Sequence, residues 1–381
     1  MSLPGLHGTE AGPAYESTTD YTWDAGDRLT EADDSVTGTI SLDYDDLDRL
    51  VEEDTPEGLV TYTWDDADRL TAITQGSDTV SLAYDASGRR TSVTLPNGIA
   101  TLYTRDAASQ LTRLTYQTTG ALLGTLDYAY DSSGRRRTAG GSFARTGLPA
   151  TLSPTTYNAN NQLTEWNSTT LTYDANGNLT GDGTNTHTWN ARNQLASISG
   201  GVSASFAYDP FGRRVSKTVG ATTTGYLYDG ANVVQELSGA TPAANLLSGR
   251  IDEIFLRTDG AGTRQFLTDA LGSTLALTDG SAAIQTEYAY APFGETTASG
   301  TSTTSSYPFT GRENDGTGLY YYRARYYSPE LQRFISDVTS GKTTSSPNGT
   351  AEATDRTFAL RRAFRELMPS RSPNSTSDSG C

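Results

Sequence analysis

Cysteine is all but absent from this chain: the single copy is Cys381, the last of 381 residues. Internal disulfides are thereby excluded, and stability must come from packing and hydrogen bonding. Histidine is nearly as scarce, with His7 and His187 far apart in sequence. No apolar run approaches the roughly 20 residues that a membrane helix needs. The N-terminal stretch MSLPGLHGTEAGPAYEST has neither the basic region nor the apolar core of a signal peptide. Positive charge is short, with 28 Lys and Arg against 45 Asp and Glu and a net charge of −17. A field of that sign repels phosphates, which argues against nucleic acid as a partner. The chain also lacks a nucleophile elbow, a zinc-protease helix, a phosphate-binding glycine loop before a lysine, and any cysteine cluster. No catalytic residue, cofactor or metal is therefore expected, and the chain is read as not an enzyme.

What is abundant is Gly, Thr, Ser and Asp around an apolar content of only 35 %. That balance suits a wide, thin sheet with many turns better than a thick core. Internal repetition confirms the direction. YTWDAGDRLT begins at Tyr21 and YTWDDADRLT at Tyr62, with LDYDDLDRL, LAYDASGRRT, YAYDSSGRRRT, LTYDANGNLT, HTWNARNQLA and FAYDPFGRRV among the further copies. The Asp or Asn after the aromatic recurs about every 20 residues, from Asp24 to Asp229. Ahead of it, residues alternate: Ile40, Leu42 and Tyr44 share one face, as do Val80, Leu82 and Tyr84, while Ser41, Asp43, Ser81 and Ala83 take the other. Period two predicts strands with one aromatic face.

Each acidic residue then marks a turn. Asp24, Asp45 and Asp65 stand at this position, and Asp85 with Gly88, Asp131 with Gly134, Asp174 with Gly177 and Asp209 with Gly212 carry a type I turn signature. Aspartate accepts hydrogen bonds from nearby amides, and glycine tolerates the left-handed backbone that turns the chain back. Each unit is thus a β-hairpin, and hairpins are marginal alone, so neighbours must pair and share their aromatic faces. Calcium is a weaker reading of these acids. DANGNLTGDGTN, from Asp174, has its glycine fourth instead of sixth, and Asn185 stands where a bidentate glutamate is needed. The repeat arginines Arg28, Arg49, Arg69, Arg89 and Arg213 are read as partners of neighbouring Asp or of aromatic rings, not as an anion grip.

The densest stretch is YAYAPFGETTASGTSTTSSYPFTGRENDGTGLYYYRARYYSPELQRF, from Tyr288 to Phe334. Read as one strand, Leu319 to Tyr327 puts Tyr320, Tyr322 and Tyr326 on one face and Tyr321, Arg323, Arg325 and Tyr327 on the other. So many rings require something large against them. Asp269, Gly272, Gly311, Arg312, Arg333 and Phe334 complete the landmarks of this end-piece.

These repeats resemble the YD or RHS repeats of bacterial rearrangement-hotspot proteins, which are related to Tc-toxin C subunits, wall-associated proteins and teneurins. FLTDALGSTLALTD, YAPFGE and FTGRENDGTGLYYYRARYYSPELQRFIS resemble the RHS repeat-associated core that closes such shells. The resemblance covers roughly residues 20 to 336. It implies an all-β fold of stacked antiparallel hairpins forming a curved open sheet or partial cocoon, since a family cocoon uses far more repeats. The implied division is an N-terminal segment at 1–18 disordered by composition, repeats at 19–262, the core at 263–336 and a variable tail at 337–381. It implies a structural shell around a C-terminal toxin cargo, with that cargo or an upstream repeat shell as partner and a secreted or cell-surface location. The alternative is an extracellular module whose exposed rings stack on glycans.

After RFIS the family continues with Asp-Pro-x-Gly, its aspartyl self-cleavage site. Here the chain reads Asp337-Val338-Thr339, with no Asp-Pro and Asp337 one position early, so self-cleavage is not expected. A polar linker precedes RTFALRRAFRELM, where Leu360, Ala363, Phe364 and Leu367 share a helical face, which predicts a short helix near 354–368. This tail is read as a marginal helix on a variable end or as out-of-frame sequence.

Overall fold

The structure is a computed structural model that describes residues 18–35, 38–147 and 154–337. The expected helix near 354–368 and the N-terminal segment up to residue 17 lie outside the described residues. Within the described residues every regular element is a strand.

The turn chemistry is the same in finger after finger. In the Asp85 unit, Asp85 Oδ1 accepts the amides of Ser87 (2.9 Å) and Arg89 (3.0 Å), and Oδ2 accepts Arg89 Nε at 2.7 Å. The Gly88 amide donates to Asp85 O at 3.0 Å, with Gly88 at φ +75°. This is the connection in which a tight turn is followed by one left-handed residue and a bulge, and the register does slip at Ala83/Tyr84. Where the repeat has no glycine, Asp27, Asp48, Asp68, Asn161 and Asn193 take the left-handed place, at φ between 56° and 61°. Short polar side chains are the non-glycine residues that tolerate it best.

Successive fingers are then riveted together. The polar tip of each aromatic donates to a carbonyl of the preceding finger: Tyr44 Oη to Leu29 O at 2.9 Å, Trp64 Nε1 to Leu50 O at 2.8 Å, Tyr84 Oη to Leu70 O at 2.8 Å. The same bond runs from Tyr130, Tyr173, Trp189, Tyr208 and Tyr228. In return Arg28, Arg49, Arg69, Arg89 and Arg213 reach forward. Arg28 Nη1 meets Asp48 Oδ1 at 2.8 Å, and its guanidinium lies 5.1 Å from the Tyr44 ring; Arg49 repeats this with Asp68 and Trp64.

Fingers joined this way give a 12-stranded antiparallel meander from Thr19–Trp23 to Arg136–Gly140 and a 14-stranded one from Thr172–Tyr173 to Thr296–Gly300. A three-stranded sheet lies between them in sequence and a four-stranded one follows. Neither large sheet closes into a barrel. Their apolar faces meet instead: Val60, Ile73, Val80, Leu114 and Tyr116 of the first share one core with Leu247, Phe255, Leu256, Leu267 and Leu275 of the second. The second ladder runs without interruption past residue 262, where Ile254–Asp259 pairs with Gly262–Thr268.

One expectation is corrected. Leu319 to Tyr327 is not a single strand but a tight hairpin, Tyr320–Tyr321 against Tyr326–Ser328, closed by Tyr322 N donating to Arg325 O at 2.8 Å. Tyr321 faces Tyr326 and Tyr320 faces Tyr327 across it, so the predicted division of faces fails. The turn is held by Arg323, left-handed at φ +60°, whose guanidinium bonds Ala231 O and Asp252.

Candidate functional site

The tyrosine hairpin belongs to a small sheet built from Glu313–Asn314, Tyr320–Tyr321, Tyr326–Ser328 and Arg333–Phe334. It docks on the second large sheet through a buried ionic cluster centred on Arg214. Most repeats place leucine directly after the repeat arginine, as at Leu29, Leu50 and Leu70, and this position points to the core side; Arg90, Arg136 and Arg214 stand there instead. Charge at such a place must find a counter-ion. Arg90 pairs with Glu253, whereas Arg136 stays exposed and lies 4.1 Å from the Tyr128 ring.

Arg214, 0 % exposed, makes the densest set. Its guanidinium contacts Glu313 Oε2 and Asp315 Oδ2, both at 2.5 Å, and Tyr326 Oη at 3.1 Å. Its plane lies 4.2 Å from the Tyr321 ring, and its amide donates to Tyr321 Oη at 3.0 Å. Lys217 Nζ adds 2.7 Å to Glu313 Oε1 and 3.2 Å to Asp315 Oδ1, and Tyr226 Oη donates to Glu313. Two cations thus face two carboxylates. Burial pushes the Glu313 carboxyl up, but the Arg214 and Lys217 cations outweigh it and hold it down at about 2. The same carboxylates keep Arg214 charged despite its burial, while burial pushes the Tyr226 and Tyr326 hydroxyls far up, leaving both neutral, Tyr226 donating to Glu313 and Tyr326 accepting from Arg214.

Other landmarks form a second anchor. Asp252 receives Arg312 Nη2 and Arg323 Nη2, each at 2.6 Å. Gly311, at φ +65°, lies so close that a Cβ would collide with Asp252 O. Gly272 (φ +83°) closes the Asp269 turn, where Asp269 Oδ1 accepts the Leu271 and Ser273 amides at 2.8 Å. Arg325 lies 3.7 Å from the Phe334 ring, which packs on Tyr322 and Tyr327, and Arg333 covers Tyr157 at 5.3 Å. Tyr320 Oη donates to Gly294 O at 3.2 Å and Tyr327 Oη to Phe293 O at 2.9 Å. The turn residues Asp24, Asp45, Asp65, Asp131, Asp174 and Asp209, with Gly134, Gly177 and Gly212, cap hairpins along the wall, and the Asp209 turn leads directly into Arg214.

Sequence reasoning missed Arg214, Lys217, Glu313 and Asp315. The doubled arginine of FGRRV was the available signal. His187 is buried in the strand Asn185–Trp189, 3.8 Å from Asp182, with its pKa lowered by burial. No cluster of three or more His, Cys, Asp or Glu forms a metal centre among the described residues. Asp337 places its carboxylate against Gly177.

The teneurin YD-shell family matches residues 10–139 and 101–354. Among curated proteins, the tRNA3(Ser)-specific nuclease WapA of Bacillus spizizenii is 30 % identical over 222 residues, 55 % of this chain and 9 % of its own length. The double-stranded DNA deaminase toxin A of Burkholderia cenocepacia is 27 % identical over 173 residues, 36 % of this chain and 12 % of its own. This chain therefore spans about a tenth of such relatives. Among solved structures, a TcdB2–TccC3 crystal structure superposes with a TM-score of 0.60 at 17 % identity, over 86 % of this chain and 22 % of that one. A Photorhabdus luminescens Tc holotoxin pore gives 0.61 at 18 % identity, over 85 % and 21 %. Wall, end-piece and matches agree: the chain belongs to the teneurin YD-shell family and is an RHS/YD-repeat protein.

Proposed function

We propose that residues 18–337 are a section of wall, with its closing end-piece, of an RHS-type shell that encloses a C-terminal toxin cargo jointly with further repeats. The observation that carries this is the Arg214 cluster. A fully buried cation matched by two carboxylates of the end-piece is costly unless the two parts stay together, so the end-piece is a fixed closure. The two sheets share one apolar core, which supports reading them as a single rigid section of wall. The curated relatives are named as nucleases and a deaminase toxin. Such activity would lie outside the matched segment, which we read as a non-catalytic scaffold secreted with its cargo.

The glycan-binding alternative needs rows of free rings. The repeat aromatics are half-buried, bonded through their tips and covered by arginines, which favours the shell. The test joins the chain to the upstream repeats of an RHS-type relative, so that the shell is complete, and fuses a reporter nuclease to its C-terminus. The shell reading expects reporter activity held down and restored when Arg214→Met loosens the closure. A fully active, freely cleaved reporter together with saturable binding on a glycan array would overturn it.

A further inference from the structure

Three residues after the position that follows the repeat arginine, four fingers carry a buried aliphatic: Ile73, Val93, Leu114 and Ile198. Others place a charge there: Asp182, 3.8 Å from His187, Lys217, matched by Glu313 at 2.7 Å, and Glu53. Glu53 is only 2 % exposed, and no cation answers it. Its Oε2 accepts Tyr62 Oη at 2.6 Å, whereas Oε1 is buried with no hydrogen-bond partner.

Glu53 faces the cavity between the two large sheets, a space of about 40 Å³. That is room for about three water-sized groups. Across it stands Asp229. The repeat pattern suggests another capped turn there, but the strand Thr222–Asp229 returns through the two-residue link Gly230–Ala231, with Asp229 opposite Asn232. Its carboxylate therefore caps nothing and accepts no hydrogen bond among the described residues. The nearest cation, Arg213, spends its Nε on Asp209 at 2.6 Å and its Nη1 on Gly230 O at 3.1 Å. The cavity wall also holds Glu57 and the amides of Asn232 and Gln235, and no Lys, Arg or His.

We propose that Glu53 and Asp229 hold a divalent cation of the calcium type in the seam between the two sheets. Two carboxylates offer up to four hard oxygens, and the remaining space takes water. Calcium accepts such an irregular oxygen set, whereas magnesium demands near-octahedral order. Without a cation, burial and Asp229 push the Glu53 carboxyl up to about 8, so a proton is the competing occupant.

The two are separated by titrating chelator-stripped protein with terbium, a luminescent calcium substitute that Tyr62 would sensitise, and with calcium in a thermal melt. One saturable site is expected, with a calcium-dependent rise in Tm that fades as pH falls and protons compete. Glu53→Gln and Asp229→Asn keep size and remove charge. Each is expected to weaken binding more than about tenfold while the calcium-free melt holds or rises. Absence of any cation response, or a response that survives in both variants, overturns the proposal. A melt that moves with pH alone also overturns it, in favour of a shared proton. If one variant does not fold, the other decides.

Discussion

Arg214 and Glu313 are 99 residues apart in sequence, yet their charged groups meet at 2.5 Å in a place that excludes water. The wall and the end-piece are therefore joined by an ionic contact that neither supplies alone, and breaking it strands a buried charge.

Arg214→Met leaves Glu313 and Asp315 with Lys217 as their one paired cation. Loss of one partner from a buried ion pair costs about 3–5 kcal/mol, so the urea midpoint should fall sharply. Adding Asp315→Asn should recover part of the loss, because Glu313 and Lys217 then balance each other. If the double variant is no more stable than Arg214→Met, desolvation is not what makes the single change costly.

The cluster also sets an acid limit. The Glu313 carboxyl titrates near 4.5 in the unfolded chain and about 2 in the folded one. A depressed folded value means that its stabilisation is complete above about 4.5 and disappears as pH falls through about 2. Hydrogen exchange of the Tyr320–Tyr321 and Tyr326–Ser328 amides should rise across that window, and the rise should be missing in Glu313→Gln.

Glycine at two left-handed positions should behave differently. At Gly88 nothing lies within 4 Å of a new Cβ, and other fingers use Asp or Asn there. Gly88→Ala should cost about 1–2 kcal/mol of backbone strain, and Gly88→Asn less. Gly311→Ala adds a collision with the Asp252 carbonyl and should cost clearly more. Paired denaturation curves check the order.

Within a turn, the acid should outweigh its arginine. Asp65 Oδ1 accepts the Ala67 and Arg69 amides at 2.9 and 3.0 Å, besides the salt bridge through Oδ2. Asp65→Ala removes all three contacts, whereas Arg69→Ala leaves the backbone caps intact. The melting point should drop further for Asp65→Ala, and equal drops would mean that the ion pair carries the turn.

The wall was legible because its signals are local. An aromatic, an acid four residues before an arginine, and a left-handed residue between them lie within one short window. Repetition then multiplies weak evidence at Asp24, Asp45, Asp65 and Asp85. The seat of the end-piece was not legible, since Glu313 and Asp315 reach Arg214 only after the intervening strands have formed. The hairpin at Tyr321–Tyr326 was missed for a different reason. YYYRARYY carries no Gly, Pro, Asn or Asp to mark a bend, and the turn is enforced from outside by Asp252 and Ala231.

The rivets between fingers give the wall a direction, since Arg28, Arg49, Arg69, Arg89 and Arg213 reach forward while the ring hydroxyls and indoles reach backward. Copying or deleting a whole finger preserves every joint, while the loss of a single strand would reverse the chain and leave each rivet facing the wrong neighbour. A protein built this way can change length through evolution in units of about 20 residues, one finger at a time, without redesigning any contact.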